Sequence, residues 1–141
     1  AMEHYKVALA CSIVKQARNS EKAYTCLKAA WVLRGWRETL ERERGTEEKR
    51  AELKAQEKEY LKNAMEGFIS AEAAEIFPIC GMDDTTLEYL IANLAFELGK
   101  YDIASKLISE ILIRPYANSR MKEKTRELKD AVLAELRKNK A

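Results

Sequence analysis

The chain has 141 residues, read as one domain over 1–141 that is long enough to bury a core. Its 25 basic and 23 acidic side chains leave a net charge of only +2, which gives no field to attract a polyanion. Five glycines and two prolines among abundant Ala, Leu, Glu, Lys and Arg favour an all-α protein.

Three cysteines, Cys11, Cys26 and Cys80, have no close spacing. An odd count without a CxxC pair argues against a disulfide framework and a zinc cluster. Reduced thiols in a cytoplasmic protein are the simple expectation. No apolar run reaches the length of a membrane span, and no signal peptide is visible.

The first predicted helix runs from about Glu3 to Ala17, with Val7, Ala10, Cys11, Val14 and Ala17 on one face. Ser20 is a candidate N-cap for the second, where Ala23, Leu27, Ala30, Trp31 and Val32 form a wide apolar face. Gly35 interrupts that face, Trp36 continues it, and Arg37 to Arg44 are almost wholly charged. Thr46 can cap a long third helix reaching about Glu75. Its first half is charged, with Leu53 as its one large apolar residue. Its second half carries Tyr60, Leu61, Ala64, Phe68 and Ala71 at helical spacing. The second and third helices therefore read as an antiparallel hairpin with a protruding, solvated polar tip.

Phe77-Pro78-Ile79-Cys80-Gly81-Met82 is an irregular apolar loop, because Pro78 cannot sit inside a helix and disfavours helix at Phe77. Asp83 or Asp84 caps the fourth helix, which runs to Leu98 through Leu87, Leu90, Ile91, Leu94 and Ala95. A tight corner follows at Gly99, the residue that most easily takes the left-handed conformation ending a helix. The fifth helix spans Tyr101 to Ile113, with Asp102 in its first turn and Ala104, Leu107, Ile108, Ile111 and Leu112 buried. Arg114-Pro115 ends it. Asn118 or Ser119 starts a sixth helix with a thinner stripe of Met121, Leu128, Val132 and Leu136.

The segment from Asp84 to about Tyr116 resembles a tetratricopeptide repeat. Ala92 and Ala104 match its small contact residues, Leu98-Gly99 its turn pair and Tyr101 the aromatic after the turn. The first two helices match less well, with Cys11 and Ala23 at the small positions and Ala17-Arg18 in place of Leu-Gly. The expected fold is about six helices in antiparallel hairpins, stacked right-handed in the tetratricopeptide manner. In that register Cys11 and Cys26 are small core residues.

Ala29-Ala30-Trp31 with Arg34, then Phe68, Phe77-Pro78-Ile79, Tyr89-Leu90-Ile91 and the Gly99 to Ala104 corner carry a second resemblance. Over most of its length the chain is similar to a bacterial family, domain of unknown function 2225. These are scaffold motifs, so the resemblance implies a fold and no activity. Members of that family often carry a cysteine-rich, metal-binding segment ahead of the helices. This chain has none, so no metal function is carried over, which leaves open that it is the helical part of a longer protein.

Catalytic chemistry is sparse. His4 is the one histidine, so triads and most zinc-hydrolase sites are not expected. The glycines are too scattered for a phosphate loop. The basic residues of the sixth helix alternate with Glu123, Glu127, Asp130 and Glu135, which dilutes the field that phosphate binding needs. We expect no enzyme activity, cofactor, metal, nucleic acid or membrane.

The candidate surface is the inner face of the stack, lined by the first helix of each hairpin. The fourth predicted helix would present Thr86, Tyr89, Asn93 and Phe96 there, and the first would present Tyr5, Ala8, Ser12 and Lys15. Asn93 can give and accept hydrogen bonds with an extended peptide, and Tyr89 and Phe96 can cover apolar side chains. The expected partner is a protein or peptide segment, or a second copy of the chain. The alternatives are a redox-responsive protein or enzyme using Cys80, or a small-ligand binder.

Overall fold

The computed structural model describes residues 19–42 and 47–140. The first predicted helix, with Tyr5, Ala8, Cys11, Ser12 and Lys15, lies outside the described residues, as does Thr46. Among those described, the fold is all-α: α1 (Asn19–Arg42), α2 (Glu47–Ala74), α3 (Asp84–Glu97), α4 (Tyr101–Leu112) and α5 (Ser119–Lys140). The chain divides into two compact units, Ala1–Ala74 and Glu75–Ala141.

In the first unit, α1 and α2 run in opposite directions. Ala23 meets Gly67, and further along α1, Arg34 and Arg37 meet Glu57. A small core of Ala29, Leu33 and Leu53 is flanked by Val32 and Tyr60. Leu27, Ala30, Leu61, Ala64 and Phe68 are also buried, as the helical spacing predicts.

Several details differ from the sequence reading. Ser20 lies inside α1 and is buried. Trp31 is 49% exposed, because the buried arc of α1 is centred on Ala30 and Leu33. Trp36, 45% exposed, lines a groove between α1 and α2 with Leu53 and Gln56. The charged half of α2 is not simply solvated. Glu57 is buried, and its two oxygens accept from Arg34 Nε at 2.7 Å and Arg37 Nε at 3.2 Å. A carboxylate leaves water only when such charged donors replace its hydration.

In the second unit, α3 and α4 join through a three-residue corner. Gly99 has φ +77°, its N–H donates to Phe96 O at 3.1 Å, and Lys100 N–H donates to Ala95 O at 2.8 Å. This is the double bond pattern that satisfies the last carbonyls of a helix before a left-handed glycine. Asp102 falls in the first turn of α4. Leu87, Ile91, Leu94 and Ala95 of α3, Ala104, Ile108 and Ile111 of α4, and Leu128 and Val132 of α5 are buried. Leu107 and Leu112, expected in the core, are half-buried. Thr125 is fully buried at a position the apolar stripe skips, and its hydroxyl donates to Met121 O at 2.7 Å. The Asn118 side chain accepts from Met121 N–H at 2.7 Å, which settles the cap of α5.

Gly67 sets the approach of α1 to α2. A Cβ there would lie 2.8 Å from Ala23 Cβ and 3.3 Å from Asn19 O. Alanine favours an exposed helix over glycine by about 1 kcal/mol, but overpacking costs roughly 1–3 kcal/mol. Gly67→Ala should therefore lower the unfolding free energy despite the better helix former. A stabilised variant in urea titration would contradict this contact.

Candidate functional site

The N-terminus of α3 is built from paired acids. Asp83 is the N-cap and accepts from Thr86 N–H at 2.8 Å. Asp84, in the first turn, accepts from Thr85 N–H at 2.7 Å. Its other oxygen accepts from the Tyr116 hydroxyl at 2.5 Å. Tyr116 lies in the connection between α4 and α5, so this bond ties that connection to the start of α3.

Arg114 is the centre of the same cluster. Its Nη1 lies 2.5 Å from Glu88 Oε2 and donates to Thr85 Oγ1 at 3.2 Å. The Arg114 and Glu88 side chains are only 14% and 11% exposed. The guanidinium also stands 5.5 Å from the Tyr116 ring centroid, within cation–π range. Burial opposes the charge on Arg114, but the adjoining Glu88 carboxylate outweighs it and raises the Arg114 pKa. The hydrogen bond from Tyr116 lowers the pKa of Asp84, and the same bond raises that of Tyr116. These groups hold one another, which makes the cluster a strap between the start of α3 and the α4–α5 connection.

From the sequence, Asp84 reads only as a cap and Arg114 only as the residue before a helix-ending proline. The available signal was Glu88, an acid between Leu87 and Ile91 on the apolar side of α3.

The candidate face of α3 carries Thr86, Tyr89, Asn93 and Phe96, all half-buried and on one stripe of the helix. Tyr89, Asn93 and Phe96 are thus brought together. Ser12 and Lys15 lie outside the described residues. Tyr101 extends the stripe past the corner: its ring and that of Phe96 are 6.0 Å apart and tilted by 51°. Among the described residues, Asn93 makes no side-chain hydrogen bond.

Cys80 sits at the tip of a two-residue turn. Ile79 and Met82 exchange two backbone bonds of 2.9 Å, and φ is +50° at Cys80 and +76° at Gly81. Positive φ at both central residues is the type I′ geometry. Ile79 is buried beneath it while the thiol is exposed. Cys26 is buried, as expected of a small core residue, and burial raises its thiol pKa. No group of His, Cys, Asp and Glu that could hold a metal ion occurs among the described residues. No helix among them is long and apolar enough to cross a membrane.

The elements that build these sites fall within the span of a single family model, described as "Uncharacterized protein conserved in bacteria (DUF2225)", which matches residues 1–132. The chain belongs to this family. No curated protein and no solved structure gives a significant match. The DUF2225 match takes in all of α1 to α4 and most of α5, so both the strap and the α3 face lie inside it.

The Tyr116–Asp84 bond gives stability a pH signature at both ends. Asp84 titrates lower when folded, so its contribution is full above the ordinary carboxylate pKa of about 3.9 and is lost as pH falls through the folded value. Tyr116 titrates higher when folded, so its contribution is full below about pH 10 and is lost as pH rises through the folded value. Melting curves of Tyr116→Phe and the unaltered chain should differ most between these limits and converge outside them. A constant offset across pH would contradict the bond.

Proposed function

We propose that this chain is a non-enzymatic protein-interaction module that binds an extended segment of a partner protein along α3. The observation that carries this reading is the unspent amide of Asn93, set between the half-buried rings of Tyr89 and Phe96. In this mechanism apolar side chains of the segment lie against Tyr89, Phe96 and Tyr101. The Asn93 amide donates to a backbone carbonyl and accepts from a backbone N–H, which fixes the register. The stripe carries no charged side chain, so binding would draw on apolar burial more than on charge.

A tetratricopeptide-like scaffold is the architecture that fits this use. The left-handed Gly99 corner, the fully buried Ala92 and Ala104, and Tyr101 after the turn support it. The setting that suits such a module is the cytoplasm. The alternative use of Cys80 rests on the exposure of its thiol alone.

The test is selection from a random peptide library against the full chain, followed by affinity measurement on variants. Asn93→Ala places a good helix former at a half-buried position, so the fold should persist. Loss of the register bonds should weaken selected peptides by about ten-fold, or roughly 1.4 kcal/mol. Tyr89→Ala should weaken them further. Unchanged affinity in folded variants would remove α3 as the binding face.

A further inference from the structure

We infer that the flank of α5 beside α4 is a second docking surface, which takes an acidic segment of a partner protein through one apolar anchor residue. Along the sequence the charges of α5 alternate, but on the helix they separate. Lys122, Arg126, Lys129, Leu133 and Arg137 stand at i, i+4, i+7, i+11 and i+15, which is a single stripe. Arg126, Lys129 and Arg137 are exposed, and Lys122 is half-buried. None of these cations has an ion-pair partner among the described residues. Glu135 instead pairs with Lys138 on the opposite side of the helix, at 3.4 Å. By helical spacing, Glu123 and Asp130 border the stripe on the side away from α4.

The other edge of the stripe is a groove of about 150 Å³ between α4 and α5. Ile108, Val132 and Leu133 form its apolar walls, Lys129 lines it from α5, and α4 adds Ser105 and Ser109 rather than an acid. A volume of that order holds one group the size of benzene. The groove therefore takes a single side chain and is too small for a drug-sized ligand. Leu133, 39% exposed, sets an apolar side chain between Lys129 and Arg137. Unanswered cations of one sign select an anionic occupant. The apolar break at Leu133, and the groove beside it, select a polypeptide over a nucleic acid, because the stripe has no aromatic ring on which a base could stack. The stripe is roughly 22 Å long at 1.5 Å per residue. The anchor enters the groove, and carboxylates on either side of it meet Lys122 and Arg126 in one direction and Arg137 in the other. This surface is on a different helix from the α3 face, and either reading can fail without the other.

Peptides selected from a random library against the full chain test this. One class should carry several Asp or Glu around a single large apolar residue. Its members should lose about ten-fold in affinity when salt rises from about 50 mM to about 500 mM. The double variant Arg126→Glu/Lys129→Glu keeps good helix formers at exposed positions, so its melting curve should hold. The acidic peptides should nevertheless bind it about ten-fold or more weakly. Leu133→Gln should weaken them as well, with the salt dependence unchanged, because it removes an apolar wall of the groove. Tyr89→Ala should leave them unaffected, which separates this surface from the α3 face. Absence of an acidic class, or an acidic class that binds either α5 variant undiminished, would overturn the proposal. A single-stranded oligonucleotide or an anionic phospholipid vesicle that binds more tightly than the selected peptides, and is lost in Arg126→Glu/Lys129→Glu, would overturn it too, by giving the stripe a different occupant.

Discussion

The buried ion pair between Glu88 and Arg114 is the constraint on which the second unit depends. Two helices joined by a short corner are closed by the chain at that end only. At the other end, side chains must keep them together. Arg114 lies just past α4, reaches Glu88 one turn into α3, and leaves water to do so. The pair therefore has to be matched in geometry and supported by further donors and acceptors. Thr85 supplies an acceptor for the guanidinium, and Tyr116 stands over its face. With this end closed, the stripe of Thr86, Tyr89, Asn93 and Phe96 is held on a helix fixed at both ends.

The first unit solves a similar problem with different parts. Glu57 is buried on α2 and gripped by Arg34 and Arg37 of α1. Near the far end of the pair, Gly67 lets the backbones come together at Ala23. An ion pair fixes rotation and register because its geometry is directional. A glycine contact fixes distance because nothing can be inserted without strain. Together they turn the inner arc of α1 toward α2 and leave Tyr24 and Trp31 on the outside.

Much of this was legible in the sequence. Gly99 announced its corner because few other residues take a left-handed helix end, and Asp102 marked the turn that follows. The apolar spacing of Leu61, Ala64 and Phe68 placed the core face of α2. Glu57 and Glu88 were not legible, because a charged residue in a helix reads as solvated until its partner is known. Those partners lie 20 to 26 residues away in the chain, on other elements. Trp31 is illegible for the converse reason: a large apolar residue reads as packed, whereas the arc that α1 buries is filled by Ala30 and Leu33. Within the α3 face, periodicity alone placed Tyr89, Asn93 and Phe96 on one stripe. The contribution of Tyr101 needed the geometry of the corner.

The measurement that tests the account most directly is a double-mutant cycle on Glu88→Ala and Arg114→Ala, read as unfolding free energy of the full chain. Removing either partner leaves the other buried and uncompensated, so each single variant should be destabilised strongly. The double variant should lose little more than either, giving a coupling energy of about 2 kcal/mol. A coupling below about 0.5 kcal/mol, within the range of independent sites, would contradict the claim that this pair closes the α3–α4 unit.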